Sequence, residues 1–324
     1  VESAAAVRWR RLGLAATLGV LAVAPLVLPP FLLTLLTQTL IYAILAMGLD
    51  LVLGYTGLSS LGQAAYLGLG AYSVGILASR HGVGFWPTLL AGVLLAGAVA
   101  AVFGLLALRA TGVYFLMITL ALGMVVWGLA NRWVSLTGGD NGIASIRRPD
   151  LGLPLSFASA GPYYYLVLVA FAVAFAALSV IVRSPFGHAL VGIRESESRM
   201  RTLGYNVWLH KYIAFVISGG VGGLAGVLWC YYNSYVSPSD LDLSVSIETL
   251  LMVALGGRGT LLGAGIGAAV IVLLKNLVSV YTSRWLLILG IVYVGTIRYA
   301  PEGLVGAAQQ WGQWSRLRRS RAAA

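Results

Sequence analysis

The chain has 324 residues, of which 59% are hydrophobic and 10% charged, with a formal net charge of +11 and one cysteine. Ordinary soluble proteins carry about 25% charged residues, so this composition excludes a soluble globular domain. A single cysteine likewise excludes an internal disulfide or a cysteine-built metal centre.

In chain order, apolar runs predict spans at 12–30, 31–53, 64–79, 86–108, 112–131, 162–182, 211–231, 247–257, 260–280 and 285–300. At about 1.5 Å per residue, most are long enough for a hydrocarbon core of about 30 Å, whereas 247–257 is too short to cross unaided. The expected fold class is therefore an all-α polytopic membrane protein of about ten transmembrane spans, a single transmembrane domain over 1–324. "RWRR" (8–11) before the first run has the look of a signal-peptide n-region, but the many later spans predict a retained helix. Ten spans put both termini on one side. Arg8, Arg10 and Arg11 before the first run, and Arg316, Arg318, Arg319 and Arg321 after the last, make that side the cytoplasm by the positive-inside rule. The basic excess is thus read as topology, with no nucleic acid partner. Residues 131–161 form the main outer loop, with a turn at "DNG" (140–142), and 233–246 form a second outer segment carrying Asp240 and Asp242. Cys230, in an apolar run, is expected to be a small core residue.

Two segments echo each other. "LVLGYTGLSSLG" (51–62) and "LMVALGGRGTLLG" (251–263) share a G-x-x-G core that aligns Gly54 and Gly57 with Gly256 and Gly259. Short, glycine-interrupted apolar segments at matching places in two halves point to broken helices lining a pathway. Glycines that merely let helices pack closely would give the same letters. On the first reading, Gly54, Gly57, Gln63, Tyr66, Gly256, Gly257 and Gly259 line or shape the path.

Chemistry is sparse. Lys211 and Lys275 are the only lysines and neither sits in a P-loop, so the chain shows no means of hydrolysing ATP. His81, His188 and His210 have no metal spacing, and no nucleophile–base set has a motif around it; the expectation is no enzyme, no metal and no cofactor in this chain. Asp50, Glu248 and Lys275 are the candidate ionisable groups within spans. They would either hold broken helix ends or, in a secondary transporter, couple an ion to uptake.

The loop 183–210 is the exception to the apolar pattern. "FGHALVGIRESESRM" (186–200) reads as one amphipathic helix over 185–201, with Ser184 as N-cap, Pro185 as first helical residue and Gly204 as its stop. Ala189, Leu190, Ile193 and Met200 form the apolar side, and Glu195 and Arg199 stand at i,i+4. Such a helix could lie on lipid headgroups, as in a lipid-binding scaffold, but its mixed charge suits a groove on another protein better.

The ordered blocks "GYTGLSSLGQAAYLGLGAY" (54–72), "GVYFLMITLALG" (112–123), "SLTGGDNGI" (135–143), "SPFGHALVGIRESE" (184–197) and "GGRGTLLGAGIGA" (256–268) resemble the LivM-type permease subunits of branched-chain amino acid ABC importers over nearly the whole chain. The resemblance implies an ABC importer permease fold in a bacterial inner membrane. Its implied partners are a second homologous permease, two cytoplasmic ATPase subunits that use ATP and Mg, a periplasmic solute-binding protein, and membrane lipid. It makes 183–210 the coupling loop, with Pro185, Gly187, Arg194, Glu195, Glu197 and Gly204 matching the family pattern, while His188 stands where Arg is common. Asp140, Asp240 and Asp242 would lie on the side of the binding protein, or be solvated turn residues. The implied substrate is a branched-chain or other small amino acid; importers of this kind for urea, amides or aromatic acids, and an ion-coupled transporter, are the alternatives.

Overall fold

Pro29 and Pro30 fix where the first long helix begins, because proline's locked φ suits the first helical turn and its missing N–H costs nothing there. In the computed structural model of the chain, the described residues are 19, 21–149, 159–282 and scattered positions from 284 to 306. The basic clusters near the two ends, most of the first half of the 12–30 span, residues 150–158 of the outer loop and much of the 285–300 span lie outside the described residues.

Helix α1 runs Pro30–Asp50 and continues as a π turn, Leu51–Tyr55. Beyond Gly57 the chain is non-helical until α2, Gln63–His81, which Gly82 stops in the left-handed conformation. Then come α3 (Phe85–Ala107), α4 (Val113–Arg132) and α5 (Ala160–Arg183). Two short helices, α6 (Pro185–Glu195) and α7 (Glu197–Thr202), lead into α8 (Val207–Asn233), whose N-cap Asn206 accepts from the Leu209 N–H at 3.1 Å. Helices α9 (Leu243–Gly256) and α10 (Leu261–Tyr281) follow.

Among the described residues, six helices are long and apolar enough to cross a membrane: Pro30–Tyr55, Phe85–Ala107, Val113–Arg132, Ala160–Arg183, Val207–Asn233 and Leu261–Ser279. The protein is thus an all-helical, multi-pass membrane protein. Of the other expected spans, 64–79 corresponds to α2, which carries too many polar groups to count by composition, and 247–257 to the 14-residue α9.

The bundle has an inside and a lipid side. Helices α1 and α8 are mostly buried, whereas α3, α4 and α5 turn apolar residues such as Leu94, Val125 and Val173 outwards. Where there is no water, apolar side chains need no partner to face outwards. Helix α8 packs on α2, α3 and α1, and α10 packs on α1 and α9. The stretch "SGGVGGLAG" (218–226) makes the α8 crossing close: a Cβ at Gly226 would collide with the Leu67 carbonyl, and one at Gly223 would lie 2.6 Å from Ala96 Cβ and 2.7 Å from the Gly92 carbonyl. Cys230 is fully buried, as expected of a core residue.

The loop 183–210 is not one helix. Ser196 takes an extended conformation (φ −162°, ψ 101°) and its hydroxyl accepts from the Arg199 N–H at 3.4 Å, so it caps a second helix instead of continuing the first. This corrects the expected single helix over 185–201, and the break interrupts the i,i+4 spacing expected to join Glu195 to Arg199. The ends of the loop are as expected. Ser184 caps α6 with Pro185 first in the helix, and Gly204 (φ +86°) closes α7 with the Gly204 N–H on the Arg201 carbonyl and the Tyr205 N–H on the Met200 carbonyl. Ala189, Ile193, Met200 and Val207 pack together beneath the two helices.

Candidate translocation and coupling site

A helix that stops inside a protein leaves its last carbonyls without partners and its negative dipole end exposed. Helix α1 stops this way. Its π turn ends at Tyr55, and the Gly54 carbonyl accepts from Arg194 Nη1 at 2.5 Å. Arg194 stands in the last turn of α6, so a cation from the charged loop closes the end of an apolar helix.

The second glycine break meets the same point. Asp50, fully buried in the last turn of α1, accepts the Gly259 N–H on Oδ1 at 2.8 Å. Gly259 lies just ahead of Thr260, the N-cap of α10, so the carboxylate also faces the positive end of that helix. A Cβ at Gly54 would collide with Asp50 Oδ1 and the Gly259 nitrogen. Gly57 and Gly259, aligned from the sequence, share a φ of +77°, and each borders Arg194: a Cβ on either would lie 3.0 Å from its side chain. Gly54, Gly57 and Gly259 are therefore brought together, with Arg194 between them. Gly256 ends α9 under Gly263, and Gly257 (φ +122°) turns the chain towards Gly259.

Gln63 and Tyr66 have a different neighbourhood. Both are fully buried at the start of α2. Gln63 Nε2 donates to Ser218 Oγ on α8 at 2.9 Å, and the Tyr66 ring packs on Phe103 and Phe215 with centroids 6.2 and 6.0 Å away. Amides at and just ahead of the start of α2 are met by hydroxyls from elsewhere, Ala64 N–H donating to Ser246 Oγ at 2.9 Å and Leu61 N–H to Thr119 Oγ1 at 3.1 Å. Sequence reading missed Thr119, Ser218 and Ser246, because an isolated hydroxyl in an apolar run looks like any small packing residue.

In the loop, Pro185, Glu195 and Gly204 are exposed and Gly187 is buried, where a Cβ would collide with the Val182 carbonyl and open the tight turn from α5 to α6. Glu197 is engaged within the chain, forming ion pairs with Lys211 and, at 3.4 Å, with Arg201, which ties α7 to the first turn of α8. His188 is exposed, its Nδ1 2.9 Å from the Ser184 carbonyl.

The remaining charged candidates are also held. Glu248 on α9 pairs with Lys275 on α10 at 3.0 Å. On the side of the 131–161 loop, Ile143 and Val236 form an antiparallel bridge with N–H to carbonyl distances of 2.8 and 3.0 Å. Next to it Asp240 accepts from Trp229 Nε1 at 2.8 Å and from the Ser237 N–H at 3.1 Å, and Asp242 caps α9. Burial pushes the Asp240 carboxyl above the usual carboxylate range, with the Trp229 and Ser237 hydrogen bonds opposing it. Asp140 is exposed. Among the described residues, no group of three or more His, Cys, Asp or Glu side chains is placed to hold a metal.

The family described as "Branched-chain amino acid transport system / permease component" has a model that matches residues 31–297. The high-affinity branched-chain amino acid transport system permease protein LivM of Escherichia coli K12 is 33% identical over 291 residues, covering 83% of this chain and 68% of its own length. LivH of the same organism, named as a permease protein of the same kind of system, is 26% identical over 266 residues, 75% of this chain and 83% of its own. A shorter stretch of 83 residues, 26% of this chain and 24% of the other, is 34% identical to the guanosine ABC transporter permease protein NupQ of Bacillus subtilis. No solved structure matches.

Proposed function

Because the chain belongs to the family of permease components of branched-chain amino acid transport systems, we propose that it is one membrane-spanning half of an ATP-driven importer. It passes leucine, isoleucine, valine or a similar small amino acid into the cytoplasm. A periplasmic binding protein delivers the substrate to the 131–161 side, and two cytoplasmic ATPase subunits, which carry the ATP and Mg, act on α6 and α7. Likeness to both LivM and LivH supports a second, related permease as the other half. The chain lies in the inner membrane with both termini cytoplasmic.

The observation that carries this reading is Arg194 seated on the Gly54 carbonyl. It gives the charged loop direct purchase on the two glycine breaks, which is what an externally driven permease requires. An ion-coupled transporter fits less well, since Asp50 Oδ1 holds the Gly259 amide and Glu248 is paired with Lys275, so each carboxylate has a structural partner on at least one oxygen.

The test is purification from native membranes in mild detergent, with assay of the co-eluting proteins for ATP hydrolysis. An ATPase pair and a second permease should accompany the chain. Glu195→Ala, an exposed change on α6, should weaken ATPase association while the chain remains in the membrane. A chain that elutes alone in every detergent, and takes up amino acids only under an ion gradient, would overturn the proposal.

A further inference from the structure

Buried polar atoms in native proteins almost always have hydrogen-bond partners, and an exception asks for a reason. Asp50 is such an exception. Its Oδ1 is occupied by the Gly259 amide, but Oδ2, equally buried, has no partner. The Arg194 guanidinium, which reaches the same junction, donates to the Gly54 carbonyl. A guanidinium has five N–H donors in a planar fork that matches a carboxylate. The acceptor that fits it best is therefore one helical turn away from the acceptor it uses.

We propose that Asp50 and Arg194 are the transmission of the permease: as α6 moves, Arg194 transfers from the Gly54 carbonyl to Asp50 Oδ2 and back, and each position sets a different separation of the two glycine breaks. Three features of the junction support two positions. Gly54, Gly57 and Gly259 lack side chains at the places where a Cβ would crowd Arg194 or Asp50, so no side chain of the two breaks stands between the guanidinium and the carboxylate. Arg194 stands in the last turn of α6, close to the Ser196 break, while α7 is tied to α8 by the Glu197–Lys211 pair, so the break lies between the arginine and the anchored helix. Asp50 touches both breaks, through its own helix and through Gly259, so drawing Arg194 onto Oδ2 loads both at once. Asp50 and Arg194 are positioning residues here, and no substrate contact is assigned to either. A discrete element whose two arrangements are biased from one side is what couples distant sites.

This inference rests on the proposed ATP-driven function, and one experiment separates the two. The whole complex, co-purified from native membranes and reconstituted in proteoliposomes, is assayed for ATP turnover and amino acid uptake together, with thermal stability measured alongside. The variants are Asp50→Asn, Arg194→Gln, Arg194→Lys and the pair Asp50→Asn/Arg194→Gln. In the fraction of each single variant that assembles, uptake per ATP hydrolysed should fall about tenfold. The pair should be no worse than either single change, because both remove one interaction. Arg194→Lys should recover part of the ratio. Wild-type uptake per ATP in Arg194→Gln, or losses that multiply in the pair, would overturn the transmission while leaving the importer intact. If the wild-type complex shows no ATP-driven uptake, the importer reading fails, and the transmission with it. Should Asp50→Asn fail to assemble, Arg194→Gln decides alone, Arg194 being an exposed residue.

Discussion

At Gly54 a single hydrogen atom separates a working junction from a steric collision. Gly54→Ala would drive a methyl into Asp50 Oδ1 and the Gly259 amide, so thermal unfolding in detergent should show a loss of roughly 3 kcal/mol, the upper range for overpacking. Gly128→Ala, on α4 with nothing within 4 Å of the new methyl, should be neutral or gain up to about 1 kcal/mol by helix propensity. The Glu248–Lys275 pair offers a second contrast. The Glu248 side chain is 3% exposed and that of Lys275 31%, so Lys275→Met strands the more buried charge and should destabilise by roughly 3 kcal/mol, low in the range for breaking a buried pair. Adding Glu248→Leu should restore much of that loss in the same melt, since an apolar pair replaces an orphaned carboxylate. From sequence, Asp50 was recognisable as an ionisable group beside a glycine break, but not its partner. Gly259 is 209 residues away and contributes an amide, which every residue has.

Among the elements, the two short helices of the charged loop show what a pattern of letters conveys and what it omits. Ser184, Pro185 and Gly204 are local signals, each acting on its own backbone, and the helix ends fall where they point. Ser196 is equally local, but Ser is as common inside a run of helix formers as at a cap, and the apolar spacing from Ala189 to Met200 spans the break without interruption. The break exists because Met200 and Ile193 share one apolar pocket with Val207, which the two short helices reach by bending. Ser196→Ala should remove the cap at a cost of about 1 kcal/mol to α7. Hydrogen exchange at the Arg199 amide reads this directly, and should speed up with little change in α8. The glycine echo was legible for a related reason. A positive φ at Gly57 and Gly259 is a demand that only a few residue types meet, so it leaves a mark in sequence even where the halves have otherwise diverged.

For the molecule as a whole, the two ends differ in kind. On the side of the Ile143–Val236 bridge, Asp240 joins the 234–242 segment to α8 through Trp229. Its carboxyl is held above the usual carboxylate range by burial, so the folded state prefers the protonated form. Stability should therefore decline as pH rises from the ordinary carboxylate range through the raised value, and Asp240→Asn should flatten that part of the pH profile of thermal unfolding. On the opposite side Arg194, a cation, meets a backbone carbonyl. The α8 crossing explains why movement belongs there. Where Gly226 and Gly223 let backbone lie on backbone, there are no long side chains to repack, and sliding α8 along α2 and α3 would mean prising main chains apart. Those three helices behave as one stiff block, a stator against which the rest must turn. Spin-label distances between α2 and α8 should then stay fixed across nucleotide states while those from α6 to α10 change. If Arg194 transmits as proposed, the stroke of the machine is confined to the few residues around Gly54, Gly57 and Gly259, and its length is set by how far one arginine can reach.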